Sequence, residues 1–203
     1  MLLKLLSRRA LMTFSIATIP TIALNSEAAE DPQMGTQDRR INYYGAMTSS
    51  GLLQLNNALT ELALDGSKEE IHLHVQSGGG ELVPALYTAD LISDISKTTP
   101  VTTYVDGYAA SAATLLTVSG SRRLMTEHSS FLVHQLSSKH EGTYQELLDQ
   151  IKNDQLLMRQ IVSIYGRHFR GSDAELFALL NRNLLLDAQT CLQLGFVDAI
   201  ISN

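Results

Sequence analysis

The stretch VDGYAASAATLL, Val105 to Leu116, has the pattern of a β-strand that passes through a glycine into a helix. One serine, Ser111, stands among four alanines at the joint. Serine is common as a helix N-cap, because its oxygen accepts a hydrogen bond from an otherwise unpaired backbone N–H. A nucleophile is the alternative, since a hydroxyl at this joint lies near free backbone donors and the positive end of a helix.

The segments around this joint alternate between strand and helix patterns. Apolar and polar residues alternate in IHLHVQ (71–76), whereas ELVPALYTADLISDI (81–95) has helical spacing. Two short strand patterns follow the joint, RRLMTE (122–127) and SFLVHQ (130–135). This order predicts an α/β fold in which crossover helices connect parallel strands.

The second half of the chain is mostly helical. Thr143 and Glu146 have the spacing of a capping box and precede an amphipathic helix of about twenty residues. Ser172 and Glu175 repeat the capping-box spacing, and Asp187 is in the position of the N-cap of a last helix.

Composition and charge exclude several function classes. The 203 residues are 44% hydrophobic with a net charge of −6, which is typical of a globular protein and argues against a nucleic-acid partner. A single cysteine, Cys191, excludes an intrachain disulfide and is interpreted as a small buried hydrophobe.

The N-terminus has the features of an export signal. Lys4, Arg8 and Arg9 precede an apolar run over 10–24, and small residues around Ala28 form a cleavage site. We therefore expect export to a periplasm or an organelle lumen after cleavage near Ala28. A cytoplasmic protein or an uncleaved N-terminal membrane anchor is the alternative. The predicted division is a signal over 1–28, a polar linker over 29–39 and a folded domain over 40–203.

Two further features complement a serine nucleophile. His134 ends an apolar strand pattern, where it is either a general base or a hydrogen-bonded core histidine. The glycines at 78–80 can direct backbone N–H groups at an oxyanion. No G-K-[ST] follows these glycines, which argues against a phosphate-binding P-loop.

Four segments together resemble the proteolytic subunit of the Clp protease, ClpP. They are VQSGGG (75–80), GYAASAA (107–113), FLVHQ (131–135) and LLLDAQTCLQLGFVDAI (184–200), and the resemblance runs from about residue 40 to residue 200. It implies an α/β fold of the ClpP/crotonase type, a spiral of repeated ββα units with a protruding handle helix that begins near Thr143.

The resemblance also implies a function and roles for particular residues. Ser111 is then the nucleophile and His134 the general base, with the backbone N–H groups of Gly79 and Ala112 as the oxyanion hole. The implied substrate is a short peptide or an unfolded protein, cleaved inside a homo-oligomeric ring that stacks through the handle. No cofactor and no metal are expected.

The chain departs from the family pattern at three places. Asn183 stands near the position of the triad aspartate; it can orient an imidazole but gives no negative charge, and Asp187 is a second candidate besides its N-cap role. The segment between the cleavage site and Arg40 is shorter than the one that forms the family's axial loops, which argues against docking to an ATPase unfoldase. Leu136 follows the His-Gln pair where the family usually has proline.

Other interpretations of the same residues remain open. One alternative is that the chain is a catalytically weakened subunit of a mixed ring. Another is that it is an acyl-CoA-binding enzyme of the crotonase fold. His72 and His74 lie on the same face of one strand pattern, where they either bind a metal ion or are exposed to solvent. Lys152 is the base of a Ser-Lys dyad or a surface residue of the handle.

Overall fold

An eight-stranded sheet organises the chain in the computed structural model, which describes residues 32–202. The strands are β1 (Gln33–Gln37), β2 (Arg40–Tyr44), β3 (Ile71–Ser77), β4 (Val101–Ala110), β5 (Arg122–Thr126), β6 (Ser130–Leu132), β7 (Leu186–Asp187) and β8 (Ala199–Ile201). The helices are α1 (Ser49–Leu64), α2 (Leu82–Ile95), α3 (Ala112–Thr117), α4 (Tyr144–Gly166), α5 (Asp173–Leu180) and α6 (Ala188–Leu194). The export signal predicted over 1–28 lies outside the described residues.

The main sheet has the order β1-β2-β3-β4-β5-β8, and every pairing from β2 to β8 along this path is parallel. β4 changes partner along its length. Its first half pairs with β5 and its last residues, Tyr108 to Ala110, pair with β6. This change brings the end of β4 beside Leu132. The parallel sheet with crossover helices confirms the α/β prediction.

Apolar periodicity explains the core between β3 and α1. Side chains alternate across a strand and recur every three or four residues on a helix, so each element presents one apolar face. Burial of each such side chain contributes roughly 1.5–3 kcal/mol. The fully buried members of the hydrophobic core on these two elements are Leu52, Leu55 and Leu59 of α1 and Ile71, Leu73 and Val75 of β3.

The polar stretch expected as a linker over 29–39 contains β1, which corrects that expectation. β1 pairs antiparallel with β2 through a two-residue turn, Asp38 and Arg39, whose φ angles of 47° and 63° are both positive. Positive φ at both positions is the geometry of a type I′ hairpin. β1 is an edge strand with mostly exposed side chains, so it has no apolar periodicity to reveal it.

The strand predicted over 130–135 ends at Leu132, earlier than expected. Its ladder with β7 extends only over Ser130 and Phe131. Beyond Leu132 the chain leaves the sheet, and Gln135 donates its N–H to the Leu180 carbonyl at the end of α5, at 2.8 Å. His134 therefore lies on a connecting segment instead of a strand.

The helix boundaries follow the capping residues that the sequence contains. Thr143 forms a complete capping box at the start of α4, and Ser172 forms another at the start of α5. α4 has 23 residues, and its buried side chains, Ile161, Ile164 and Tyr165, all lie near its C-terminal end. The N-terminal part of α4 therefore projects from the domain, as expected for the handle. Within residues 32–202 no helix is long and apolar enough to cross a membrane.

Candidate active site

Ser111 stands between β4 and α3 in a strained backbone conformation. Its φ of 54° and ψ of −127° are unusual for a residue other than glycine, and such conformations cost roughly 1–3 kcal/mol. The Ser111 N–H donates to the Leu132 carbonyl of β6 at 2.9 Å, which helps to hold this turn. The Ser111 side chain makes no capping hydrogen bond to α3. Its position is that of an N-cap, but its hydroxyl does not act as one.

His134 lies on the same cavity as Ser111. Its Nδ1 is 2.6 Å from the carbonyl oxygen of Gln135. Because a carbonyl only accepts hydrogen bonds, Nδ1 carries a proton, and in the neutral ring Nε2 therefore has the free lone pair. This tautomer is the one that a general base needs.

The two side chains share a cavity but are not hydrogen-bonded to each other. Within residues 32–202 no hydrogen bond joins the Ser111 hydroxyl to the His134 ring. Catalytic hydrogen bonds are often long or misaligned without substrate. The Ser111 hydroxyl and His134 Nε2 therefore have to come within hydrogen-bond distance before proton transfer.

The cavity beside Ser111 is mainly apolar and has a volume of about 250 Å³. Leu82 of α2, Leu115 of α3 and Ile161 of α4 contribute to its wall. A ligand in this cavity would gain free energy by placing an apolar side chain against this wall, because burial of apolar surface is favourable.

Gly79, predicted to supply an oxyanion N–H, has a different contact in the structure. Its N–H donates to Ser77 Oγ at 3.1 Å. Its φ is +93°, and a Cβ at this position would lie 2.7 Å from the Ala110 carbonyl oxygen and 2.7 Å from Ser111 Cβ. Gly79 is thus needed for the close approach of two backbones.

Gly80, which the sequence did not single out, lines the cavity together with Ser111 and Ala112. It forms a parallel bridge with Met47, in which Met47 bonds to Gly79 and Glu81, the neighbours of Gly80. In a parallel bridge of this kind the central residue points its own N–H to the opposite side. The Gly80 N–H therefore faces away from Met47. The sequence alone could not show which of the three consecutive glycines supplies the oxyanion N–H.

Neither candidate for the third triad member is bonded to His134. Asn183 is exposed on the segment between α5 and β7, and within the described chain it makes no hydrogen bond to His134. Asp187 accepts a hydrogen bond from the Thr190 N–H at 2.7 Å, as the N-cap of α6. Hydrogen bonds from Thr190 also lower the pKa of the Asp187 carboxyl. The Gln135 carbonyl, a backbone atom without a sequence signature, is the group that orients the ring.

The histidines of β3 each have a partner other than a metal ion. His72 Nδ1 is 2.9 Å from the Tyr104 hydroxyl, and His74 Nδ1 is 2.8 Å from Asp106 Oδ2. Burial alone would raise the pKa of Asp106, but hydrogen bonds from His74 and Tyr44 outweigh it and lower that pKa. Among residues 32–202 no group of three or more His, Cys, Asp or Glu side chains is placed to hold a metal ion.

Lys152 and Cys191 lie apart from the cavity. The Lys152 amino group is 3.3 Å from Asp149 Oδ1 on α4, and Lys152 does not line the cavity of Ser111. Cys191 is fully buried, and burial raises the pKa of its thiol to about 12. A thiol that stays protonated is a poor nucleophile, as expected for a structural residue.

Comparison with known proteins supports, over most of the chain, the resemblance to Clp protease subunits noted in the sequence. The family model for Clp protease matches residues 26–203. The chain is 28% identical to the ATP-dependent Clp protease proteolytic subunit 4 of Rhodococcus jostii over 91% of its own length and 97% of that protein. It is 27% identical to proteolytic subunit 2 of Streptomyces avermitilis, over 91% of this chain and 95% of the relative. It is 30% identical to proteolytic subunit 1 of Protochlamydia amoebophila, over 81% of each chain.

Proposed function

Because this chain belongs to the Clp protease family, we propose that it is a serine endopeptidase that hydrolyses short peptides or unfolded proteins. One observation carries the proposal. Ser111, held at a strained strand-to-helix joint, shares a cavity with a histidine whose Nε2 is free to accept a proton. Strain of this kind is typical of functional sites.

The proposed reaction is acyl transfer to Ser111. The Ser111 hydroxyl attacks the scissile carbonyl carbon while His134 Nε2 takes its proton. The oxyanion that forms accepts hydrogen bonds from the Ala112 N–H and, in our proposal, from the Gly80 N–H. His134 then protonates the leaving amine, and water hydrolyses the acyl-enzyme by the same route.

The cavity also suggests a substrate preference. Its apolar wall, which includes Leu82, Leu115 and Ile161, supports an apolar residue on the side of the substrate that stays with the acyl group. The substrate would be held by backbone N–H groups and by apolar side chains. The proposed reaction requires no cofactor.

We further propose that the protein works as a homo-oligomeric ring, with the projecting part of α4 stacking two rings. Apolar side chains exposed on α2 and α4, among them Tyr87 and Leu156, support this assembly. Export after cleavage near Ala28 is also proposed, on the sequence pattern of residues 1–28. A partner ATPase has no support from the described residues.

Hydrolysis of fluorogenic peptides by the purified mature protein tests the proposed activity. Peptides with an apolar residue before the scissile bond should be cleaved faster than the same peptides with an acidic residue there. Ser111→Ala should abolish hydrolysis while the oligomer stays intact. Cleavage that persists in Ser111→Ala would show that a contaminant or another residue is responsible.

A weakened subunit of a mixed ring is the second candidate function. The missing hydrogen bond between Ser111 and His134, and an asparagine at position 183, favour it. Such a subunit should co-purify with an active paralogue and gain activity only in its presence. Robust hydrolysis by the isolated homo-oligomer would exclude it. The acyl-CoA alternative has no supporting observation.

A further inference from the structure

Two buried hydroxyl groups connect α4 to the carbonyl of Ser111. Thr114 Oγ1 is 2.5 Å from the Ser111 carbonyl oxygen, and the Tyr165 hydroxyl is 2.6 Å from Thr114 Oγ1. Thr114 is fully buried and Tyr165 is 2% exposed. Neither residue was singled out by the sequence, because each has an ordinary place on an apolar helix face.

The direction of this chain of hydrogen bonds is fixed by its last acceptor. The Ser111 carbonyl cannot donate, so the Thr114 hydroxyl must donate to it. The Thr114 oxygen is then an acceptor, and the Tyr165 hydroxyl is its donor. Burial raises the pKa of Tyr165 far above its ordinary value, so this donor keeps its proton.

The Ser111 carbonyl receives a second hydrogen bond, from the Thr114 N–H at 3.0 Å. One residue thus holds this oxygen with both its backbone and its side chain. The carbonyl belongs to the same planar peptide unit as the Ala112 N–H, and in a trans peptide the two bonds point in opposite directions. Holding the Ser111 oxygen against Thr114 therefore directs the Ala112 N–H away from α3.

We propose that Thr114 and Tyr165 are positioning residues, which direct the Ala112 N–H at the oxyanion through the Ser111–Ala112 peptide. This inference rests on the proposed function, because it assigns a task in the same reaction. The strained backbone of Ser111, with a φ of 54°, makes such support necessary, since the peptide would otherwise turn toward a more favourable conformation. We call the hydrogen bonds from Tyr165 to Thr114 and from Thr114 to the Ser111 carbonyl the hydroxyl relay. Because Tyr165 lies near the C-terminal end of α4, the relay makes the direction of the Ala112 N–H depend on the position of α4.

Three variants test the relay by steady-state kinetics on a fluorogenic peptide. Thr114→Val removes the hydroxyl and keeps the branched shape; it should lower kcat about tenfold, a fraction of the loss caused by deleting an oxyanion donor, and should change KM less than about twofold. Thr114→Ser keeps the hydroxyl and should restore most of kcat. Tyr165→Phe should lower kcat about threefold.

The double variant Thr114→Val/Tyr165→Phe tests whether Tyr165 acts through Thr114. If it does, the double variant should be no slower than Thr114→Val alone, because the second link has nothing left to act on. Two independent losses that multiply would overturn the relay.

Thr117→Val is the matched control. Thr117 is also buried on α3, and its hydroxyl also donates to a carbonyl three residues earlier, that of Thr114, at 3.0 Å. It should lower thermal stability less than Thr114→Val, which also leaves the buried Tyr165 hydroxyl without its acceptor, and it should leave kcat unchanged. An equal loss of kcat in both variants would mean that Thr114 has only a structural role.

Crystal structures of Thr114→Val and Thr117→Val give a readout that does not depend on activity. The Ser111–Ala112 peptide should rotate in the first variant and stay in place in the second. An unchanged peptide in Thr114→Val overturns the inference, whether or not the wild type hydrolyses peptides. A rotated peptide in a chain without peptidase activity would instead retain the relay and reject the proposed function.

Discussion

Gly79 shows how strongly one residue constrains the turn beside the nucleophile. A methyl group at Gly79 would meet the Ala110 carbonyl and Ser111 Cβ at 2.7 Å, at a φ of +93° that side chains disfavour. We expect Gly79→Ala to lower the free energy of unfolding by at least about 2 kcal/mol, by the combined clash and strain. Urea denaturation of the purified variant measures this loss.

Gly78→Ala is the control for this substitution. Nothing lies within 4 Å of a Cβ at Gly78, and its φ is not in the left-handed region. The control should change stability by less than about 0.5 kcal/mol. Equal stability of the two variants would mean that the close approach at Gly79 relaxes freely.

If position 183 holds the third member of the triad, the residue there sets how much negative charge the site supplies to His134. A carboxylate at this position would favour the charged imidazolium that forms during acylation, which an asparagine or the Gln135 carbonyl does not. We expect Asn183→Asp to raise kcat about tenfold, equivalent to about 1.4 kcal/mol in the barrier. The comparison is made at pH 7 on an assembled variant, with Asn183→Ala as the uncharged control.

An unchanged rate in Asn183→Asp would contradict a triad role for position 183. The Gln135 carbonyl, at 2.6 Å from His134 Nδ1, would then be the lasting partner of the ring. A rate that rises equally in Asn183→Ala would point to a change in the loop instead of a charge.

At the level of elements, one ion pair fastens the last strand to the sheet. The Arg123 backbone N–H and Nε both donate to Asp198 Oδ2 at 2.9 Å, so β5 and the start of β8 are joined at one carboxylate. Burial alone would raise the pKa of Asp198, but these hydrogen bonds and the Arg123 charge lower it below 3.8. A lowered pKa in the folded state stabilises the fold at every pH above the unfolded value.

We expect Asp198→Asn to destabilise the domain by about 2 kcal/mol at pH 7, since charged hydrogen bonds contribute about 1.5–3 kcal/mol. The difference from wild type should shrink as the pH falls below 3.8 and through the lower folded pKa, because the wild-type carboxyl is then protonated as well. Urea denaturation at several pH values follows this. A difference that stays constant down to full protonation of Asp198 would exclude an electrostatic origin.

The sequence predicts those elements whose side chains alternate between core and solvent. β3 and α2 are recognisable because Leu73 and Ile92 belong to buried periodic sets. β1 is held by backbone hydrogen bonds at the sheet edge and has no such set, so it was expected as a linker. The end of β6 depends on the short partner β7, which is distant in sequence.

The same distinction holds for the site. Ser111 and His134 were identified by residue type and motif, and the structure brings both to one cavity. The Gly80 N–H and the Gln135 carbonyl are backbone groups, whose direction depends on pairing and torsion angles instead of residue type. The hydroxyl relay through Thr114 joins residues 51 positions apart, a contact that no local pattern encodes.

The whole molecule presents an apolar groove between α2 and α4. The groove has a volume of about 630 Å³, and its lining includes Val83, Tyr87 and Leu156, which are 65%, 61% and 49% exposed. Exposed apolar patches of this kind mark interaction surfaces. In the proposed ring a second copy of the chain covers it.

We expect Tyr87→Glu to shift the protein from a ring to smaller species, because a carboxylate would be buried without a partner at the interface. Sedimentation velocity measures the mass. Leu64→Glu is the control, since Leu64 is 79% exposed at the far end of α1 and does not line the groove. The same large assembly in both variants would place the interface elsewhere.

Covalent labelling by a fluorophosphonate, mapped by peptide mass spectrometry, tests most directly whether the strained serine and its histidine form a working catalytic pair. Ser111 is predicted to carry one adduct per chain in the wild-type oligomer, and His134→Ala should slow labelling at least about 100-fold, as expected for loss of a general base. An oligomer whose Ser111 stays unlabelled, or is labelled equally fast without His134, would contradict the proposed catalytic role of the pair.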